Sequence, residues 1–529
     1  MIFSRGAGSH RRGGDFAVWR IAVALVCAPV WGSPAFAISS ATQDASQDTS
    51  QDTASPTSQP PAPQPPAPQS ATPQPSVAPW FDDVWSQFTD PGGLRSRLEQ
   101  AGVKFTFHYY GDALGNPSGG VYQGLGYSGR LSVILDADLE KLTGWSGGTF
   151  HVSMHQIHGP GLSENYIENL MTVSGVEAPG TTRLFNLWIE QKFGSATDVR
   201  VGQFTASQEF AIADTADLFV NSAFGWPFLM SEDLPSGGPN YPEATPGARL
   251  KYRLNDQFTL MAAIFNGSPA GPGVGQPVLR DRSGIFFRMN DAPMLIAEMA
   301  YAYNQAKPQA PVTAPNLEGT EADERGSSPA PSAAGAGLPG TVKLGAIYHT
   351  GLFADDRYSV QGGLLGTPGS QLLMHNGNAV IYGIVNQMLW RAEAGSDRGL
   401  SAFARVAGAP SDRNAVSFYT DAGLAFKAPI ASRPDDEVGV GAAFGRISPD
   451  AIVHENVVEA LTGAVMPTRD YEATIELTYL VQLTRAWSLQ PDFQYIIHPG
   501  AHAPNPLDPS GTTAIPNAVV VGVRTFLNF

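Results

Sequence analysis

The stretch YEATIELTYLVQLTRAWSLQPDFQYIIH, residues 471–498, carries two runs in which apolar and polar side chains alternate. The apolar positions are Tyr471, Ala473, Ile475, Leu477, Tyr479, Val481 and Leu483, followed by Trp487, Leu489, Pro491, Phe493, Tyr495 and Ile497. Successive side chains of a β-strand point to opposite faces of the sheet, so each run predicts a strand with one apolar and one polar face. The short break between the runs predicts a hairpin.

The length of these runs distinguishes two kinds of β-protein. An ordinary half-buried sheet also alternates, but its strands are mostly about 5–6 residues long, whereas these runs extend over about ten to fourteen residues. Tilted strands need that length to cross a hydrocarbon core of about 25–30 Å. The last segment, NAVVVGVRTFLNF (517–529), alternates in the same way and stops on Phe529. The pattern therefore predicts an all-β fold, a transmembrane antiparallel β-barrel closed by its final strand.

The N-terminus and the composition predict an exported protein. Four arginines precede an apolar core at 21–30, and Ala35-Phe36-Ala37 offers a small-residue cleavage site, so residues 1–37 are predicted to be a signal peptide. Its removal takes the formal charge from −16 to −19 and removes Cys27, the only cysteine. An acidic chain without cysteine argues against a nucleic-acid partner and against a disulfide framework. No apolar run of about 18 residues occurs beyond the N-terminus, which excludes transmembrane helices.

Three further regions follow. Residues 38–79 are rich in Ser, Gln and Pro and predict a disordered linker, which is either a tether reaching the cell wall or an unselected leader. Residues 80–101 predict a short helical segment, with Leu94 and Leu98 one turn apart and Gly102 as its stop. Residues 102–529 are predicted to form the barrel domain.

Sixteen alternating segments are predicted as barrel strands. They are 103–110, 129–139, 148–157, 183–193, 199–204, 248–254, 258–266, 294–303, 341–350, 378–391, 399–407, 415–427, 437–446, 471–484, 486–498 and 517–529. A seventeenth segment, 284–290, is rejected because single-chain bacterial barrels have an even number of strands, short periplasmic turns and long outer loops. With sixteen strands the long connections 205–247, 351–377, 447–470 and 499–516 all fall on one side. The segment 304–340 breaks this rule and is interpreted as a disordered insertion in a periplasmic turn.

Several motifs occur in an order that resembles the carbohydrate-selective porin family (OprB type). They are Gly102-Val103-Lys104-Phe105 with Tyr110-Gly111-Asp112, Leu187-Trp188-Ile189-Glu190-Gln191, Arg200-Val201-Gly202-Gln203 with Glu209-Phe210, Tyr241-Pro242 with Pro246-Gly247, Leu338-Pro339-Gly340, Tyr348-His349-Thr350-Gly351, Arg433-Pro434-Asp435-Asp436, and Gln490-Pro491-Asp492-Phe493-Gln494-Tyr495 with His498-Pro499-Gly500. The resemblance implies a sixteen-stranded barrel that admits sugars by diffusion. The 304–340 insertion and the Pro-rich leader depart from it.

The polar faces of the strands supply candidate pore-lining residues. A sugar channel needs groups that replace hydration water and flat rings that stack on sugars, without a site sticky enough to prevent exit. The candidates are Arg130, Asp136, Trp188, Glu190, Lys192, Arg200, Arg249, Lys251, Arg253, Glu298, Glu472, Glu476 and Asp492, with Asp138, Arg405 and Asp421 on the same faces. Alternatively, any of them forms a salt bridge between neighbouring strands and stabilises the barrel wall.

The loop 205–247 is the candidate for a segment that folds in and narrows the channel. Its constriction candidates are Asp214, Asp217, Asn221, Trp226 and Glu232. The alternative is an ordinary lid outside the barrel.

Two patterns that resemble a metal site and a nucleotide-binding site do not fit the predicted strands. His151 and His155 would lie about 13 Å apart on a strand, too far to share a metal ion. Gly124-x-Gly126-x-x-Gly129 precedes a strand and not a helix, so it does not predict a nucleotide site. The expectation is therefore a non-enzyme without metal or cofactor.

The functional expectation is a porin of the Gram-negative outer membrane for passive diffusion of mono- or small oligosaccharides. The alternatives are a general diffusion porin without sugar preference, an outer-membrane barrel enzyme and a secreted lectin. Expected partners are sugars, outer-membrane lipid with lipopolysaccharide, and peptidoglycan through the leader. The barrel is expected as a monomer or homotrimer.

Overall fold

Sixteen β-strands form one closed antiparallel ring in the part of the chain that the computed structural model describes, which is residues 89–305 and 337–529 with Val84 and Gln87. The strands are β1 Val103–Ser118, β2 Gly124–Asp138, β3 Gly148–His158, β4 Thr181–Phe193, β5 Thr197–Phe204, β6 Thr245–Arg253, β7 Phe258–Asn266, β8 Pro293–Tyr303, β9 Gly340–Ser359, β10 Leu372–Arg391, β11 Gly399–Gly408, β12 Val416–Lys427, β13 Glu437–Ile447, β14 Tyr471–Gln482, β15 Trp487–Ile497 and β16 Ala518–Asn528. Each strand pairs with its neighbours in sequence, and β16 closes the ring on β1. The predicted fold class and strand number are confirmed.

Short α-helices precede the barrel or lie in the connections between its strands. They are α1 Leu94–Gln100, α2 Leu139–Thr143, α3 Phe228–Asp233, α4 Pro277–Arg280, α5 Pro449–Thr462 and α6 Pro499–His502. The predicted short helix before the barrel is α1, which ends at Gln100, two residues before Gly102, whose positive φ of 102° suits glycine. Among the described residues, none of the helices has the length and apolar character needed to cross a membrane. The predicted signal peptide and the 38–79 linker lie outside the described residues.

The alternation of side chains has the predicted orientation in the C-terminal hairpin. On β14, Ile475 and Leu477 are 43% and 52% exposed on the outer surface, whereas Glu476 between them is 0% exposed. Gln494 and Asp492 on β15 are likewise buried on the inner side, next to the exposed Phe493. The apolar residues thus form the outer face of the barrel, as a lipid-facing wall requires.

The connections also follow the predicted topology. One end of the barrel carries the start of β1 and the end of β16, and we call it the terminal end. The opposite end, the loop end, carries the connections L1 (119–123), L2 (159–180), L3 (205–244), L4 (267–292), L5 (360–371), L6 (409–415), L7 (448–470) and L8 (498–517). Residues 284–290 lie in L4 and form no strand, so the rejection of a seventeenth strand is confirmed. Most of the 304–340 insertion lies outside the described residues.

Four strands extend at least five residues beyond their predicted ends. β1 continues to Ser118 and β9 to Ser359, while β2 begins at Gly124 and β10 at Leu372. Register shifts interrupt the β9–β10 ladder between Leu372 and Met374 and between Asn376 and Asn378. Because each shift changes which face a residue occupies, the alternation is lost in the sequence although pairing continues.

The packed apolar core of the molecule lies inside the barrel. Aromatic residues of L3, among them Phe210, Phe219, Phe224 and Phe228, are no more than 5% exposed and pack against inward residues of the wall. L3 is therefore an inward-folded segment that fills part of the lumen.

Candidate functional site

Arg405 on β11 holds L3 inside the barrel. Its side chain is 0% exposed and pairs with Asp421 on β12 at 2.7 Å. The remaining N–H groups of the guanidinium donate to four L3 carbonyls, of Ala211 (2.8 Å), Gly225 (2.6 Å), Ala223 (3.1 Å) and Phe224 (3.1 Å). An arginine carries five donors in a rigid fork, so one side chain fixes a whole turn of the loop.

Three carboxylates of the wall also hold the loops, by accepting hydrogen bonds from backbone N–H groups. Glu476 accepts from the N–H groups of Val220 (2.6 Å) and Asn221 (2.9 Å) in L3. Glu472 accepts from Leu170 (2.8 Å) and Met171 (2.6 Å) in L2, and from Gly500 N–H (2.8 Å) in L8.

Glu298 on β8 accepts from the L3 N–H of Ala211 (2.9 Å) and from Tyr382 O–H (2.8 Å). The pore-lining candidates Glu298, Glu472 and Glu476 are 4%, 0% and 0% exposed. A buried backbone N–H without a partner is costly, and these three carboxylates satisfy such groups.

The constriction candidates all lie on the inward-folded loop. Asp214 pairs with Lys343 of β9 (3.2 Å), and the Asn221 amide donates to Gln494 of β15 (2.9 Å). Trp226 is 6% exposed within the L3 core. Burial raises the pKa of Glu232, at the C-terminal half of α3, to about 7. Asp217 borders the cavity described below.

Five charged residues form a network where L3 leaves β5. Arg249 on β6 lies between Glu190 of β4 (2.8 Å), Glu209 of L3 (3.0 Å) and Asp198 of β5. Arg200 on β5 pairs with the same two glutamates, at 2.9 Å from Glu190 and 2.5 Å from Glu209. Two cations thus share three anions, and the pairing of Arg200 with Glu190 follows directly from their opposed positions in the β4–β5 ladder.

The remaining pore-lining candidates are dispersed. Asp136 is buried and contacts His151 Nδ1 at 2.7 Å, and Asp492 accepts from Gln494 at 2.7 Å. Lys192 and Arg253 are exposed and Lys251 half-buried, near the terminal end of β4 and β6.

Arginines lie over aromatic rings at two places on the inner face, one on β16, β1 and β2 and the other on β4 and β5. Arg130 lies 4.9 Å from the ring centre of Tyr110, and Arg524 lies 5.5 Å from the same ring. Arg200 lies 3.7 Å from the ring of Trp188. We call Tyr110, Arg130, Trp188, Arg200 and Arg524 the arginine–aromatic wall.

Two features of this wall refine the expectation for Trp188. Its ring already stacks on His151, with centres 4.6 Å apart and planes 5° apart, besides its contact with Arg200. Trp188 is 9% exposed, whereas Tyr110 is half-buried. Trp188 therefore positions Arg200, and Tyr110 presents the more accessible ring.

A cavity of about 420 Å³ lies between L2, L3 and this wall. Its lining includes Arg130, Phe185, Asp217, Tyr241 and Arg524, and Tyr241 of L3 lies 5.0 Å from Arg130. Ligand sites are commonly concave spaces of about 300–1,000 Å³ with a few convergent polar groups. The cavity is thus large enough for a small polar solute.

Two loop carboxyls at the cavity carry raised pKa values. Burial raises the pKa of Glu177 in L2 to about 7, and burial raises that of Glu243 in L3 to about 7. Both residues border the cavity. At neutral pH each is therefore partly protonated, which lowers the negative charge facing the passage.

The sequence did not predict Tyr110, Arg524, Asp112 and Glu209 as members of this site, although Tyr110, Asp112 and Glu209 stand in the motifs that carry the family resemblance. Arg524 forms a two-point pair with Asp112, at 2.8 and 2.7 Å. The alternation within 517–529 places Arg524 on the polar face and was the available signal. Periodicity gives no such signal for Glu209, because it lies in a loop, and only its place in a family motif singled it out.

The arrangement can bind a hydroxyl-rich neutral solute. The fixed N–H groups of arginine donate to hydroxyl oxygens, a half-buried tyrosine ring offers an apolar face, and neighbouring acids offset the cationic charge. No nucleophile or proton relay is needed for this.

Comparisons with known proteins agree with this picture. The model of the family described as carbohydrate-selective porin, OprB family, matches residues 122–529. Porin B of Pseudomonas aeruginosa is 25% identical over 456 residues, which covers 82% of this chain and 89% of that protein. The high-pH structure of Pseudomonas putida OprB superimposes with a TM-score of 0.68 at 24% identity, covering 83% of this chain and 97% of that one, and supports the fold.

Proposed function

The chain belongs to the carbohydrate-selective porin family, OprB, and we propose that small sugars diffuse through its barrel along the arginine–aromatic wall. The protein is a porin of the Gram-negative outer membrane. The predicted family, function and localisation are thereby confirmed at the level of the family.

The asymmetric filling of the lumen is the observation that carries the proposal. L3 is hydrogen bonded to inward groups of β8, β9, β11, β14 and β15, including Glu298, Lys343, Arg405 and Glu476. Near the start of L3, Glu209 forms ion pairs with Arg200 of β5 and Arg249 of β6. The cavity that L3 leaves borders Arg130 of β2 and Arg524 of β16, whose guanidinium groups lie 4.9 and 5.5 Å from the ring of Tyr110 on β1.

The proposed passage favours neutral polar solutes because its charges are compensated locally. Arg524 is paired with Asp112, and Arg200 with Glu190 and Glu209. A guanidinium held in this way still has N–H groups that replace the hydration water of a sugar hydroxyl. Several weak contacts in series allow a solute to enter and also to leave.

Replacing Tyr110 tests the wall directly. Tyr110→Ala removes a ring face and is expected to raise the sugar concentration that half-blocks the channel by roughly two- to tenfold, since aromatic contacts contribute about 0.5–1.5 kcal/mol. The measurement is the single-channel current in planar bilayers during titration with glucose or maltose.

Tyr109→Ala is the matched control, because Tyr109 is the adjacent tyrosine on the outer face, where its O–H contacts Tyr127. Tyr109→Ala should be blocked by sugars as the parent is. Equal block of both variants would remove Tyr110 from the passage. A parent channel whose current is indifferent to glucose and maltose would favour a general diffusion porin.

We also propose partners beyond the sugar. The apolar outer face would contact membrane lipid and lipopolysaccharide, and residues 38–79 would reach peptidoglycan as an extended, proline-rich spacer. Monomer and homotrimer are the candidate states, and sedimentation in detergent separates them by protein mass. Deletion of 38–79 should abolish co-sedimentation with purified peptidoglycan and leave conductance unchanged. Undiminished co-sedimentation would contradict the tether.

A further inference from the structure

Two histidines and one aspartate converge at the loop end. Asp470 is the last residue of L7, and His498 and His502 lie at the start of L8. His498 Nδ1 lies 3.0 Å from one carboxylate oxygen of Asp470, and His502 Nδ1 lies 4.0 Å from the other. One ligand atom from each residue falls within 4.8 Å of the other two.

The backbone around the histidines is shaped to bring them together. His498, Ala501 and His502 have positive φ angles of 52°, 59° and 70°, a region that residues other than glycine rarely occupy. The turn is held by His498 N–H donating to Asn517 (2.9 Å) and His502 N–H donating to the His498 carbonyl (3.2 Å). As a result the two imidazole rings lie next to each other, stacked with centres 4.4 Å apart and planes 13° apart. One ring has to rotate about its side-chain bonds to bring both Nδ1 lone pairs onto a single ion.

The Asp470 carboxylate is oriented as well. It accepts the N–H of Tyr471 at 2.5 Å, and the Tyr471 ring packs on His498 with centres 4.6 Å apart. Groups that orient a ligand in this way raise metal affinity.

We propose that Asp470, His498 and His502 bind a zinc-class divalent cation that joins L7 to L8. Two imidazole nitrogens and one carboxylate oxygen are ligands that Zn²⁺ prefers, at about 2.0–2.2 Å. Atoms arranged tetrahedrally at that distance are about 3.4 Å apart. The two imidazole nitrogens lie 3.0 and 4.0 Å from the two oxygens of Asp470, one on either side of this value. The side chains are 26–39% exposed, so a water molecule can occupy the fourth position.

A simpler interpretation of the cluster makes a different prediction. A His–Asp ion pair needs only His498 and Asp470, and such a pair exists elsewhere in His375 and Asp355, at 2.9 Å. Among the described residues that second pair has no third metal-ligating group within reach of a shared ion. His375 therefore provides a matched control for His502.

The experiment measures Zn²⁺ binding to detergent-solubilised full-length protein without a histidine tag, by competition with a chromophoric chelator. The parent is expected to bind one equivalent of ZnCl₂ in the micromolar range. His502→Gln and Asp470→Asn should each weaken binding by at least about tenfold, a loss of about 1.4 kcal/mol or more. His375→Gln should bind as the parent does.

A second measurement follows loop protection. Zn²⁺ should slow proteolytic cleavage within L7 and L8 in the parent and not in His502→Gln, because the ion ties the two loops together. All variants should retain heat-modifiable migration on gels, which reports the folded barrel. Absence of stoichiometric Zn²⁺ binding in the parent would overturn the proposal. Equal losses in His502→Gln and His375→Gln would overturn it too, as surface histidines would then bind at random.

Discussion

Arg405→Ala is expected to release L3 from the barrel wall and to abolish discrimination between sugars. The substitution removes the donors for four loop carbonyls and leaves Asp421 buried without its partner. Breaking a buried ion pair by removing one member costs about 3–5 kcal/mol. Strands β11 and β12 remain paired through their backbones, whereas L3 loses the donors that hold four of its carbonyls. Single-channel current should become larger and noisier, and sugars should no longer block it.

The matched control is Arg446→Ala on β13, because Arg446 is exposed on the outer face. It should conduct and be blocked as the parent is. Arg405→Lys tests whether the five guanidinium donors, and not the positive charge alone, hold L3. One ammonium group cannot replace a fork of five donors, so Arg405→Lys should resemble Arg405→Ala. A quiet Arg405→Ala channel with parental sugar block would show that L3 is held by other contacts.

Glu190 and Arg249 are expected to change ion selectivity in opposite directions. Glu190→Gln removes one of three anions that compensate Arg200 and Arg249, so the channel should become more anion-selective. Arg249→Ala leaves Glu190, Glu209 and Asp198 with one cation fewer and should favour cations. An uncompensated charge a few ångströms from the ion path changes its energy by about 1 kcal/mol, roughly fivefold in permeability ratio.

The measurement is the reversal potential across a KCl gradient. Both variants should keep heat-modifiable migration, because the strand ladder does not rely on these side chains. Thr182→Gln, exposed on the same strand as Glu190, is a control that leaves the charge unchanged. Shifts of the same sign in both charge variants would mean that the network acts by holding L3 and not by its charge.

The limits of sequence reasoning are clear at Glu476 and Glu190. Alternation placed both on the inner face, and both are there. It did not distinguish their roles, since Glu476 binds the backbone of Val220 and Asn221, about 255 residues away in sequence, and Glu190 joins a network of charges. The path of a loop has no periodicity from which such contacts could be predicted. The same holds for Asp470 and His502, which approach each other only through the turn at the start of L8.

The amino-acid sequence by itself determined the barrel, its sixteen strands and the face on which wall residues lie wherever no register shift interrupts the alternation, as one does between β9 and β10. The physical reason is that side chains of a strand alternate between two faces and that the face in contact with lipid has to be apolar. Only the tertiary structure decided which inward charges face the passage and which hold L2 and L3. That choice depends on where an inward-folded loop leaves its backbone N–H and C=O groups, because each buried group must find a partner across the lumen.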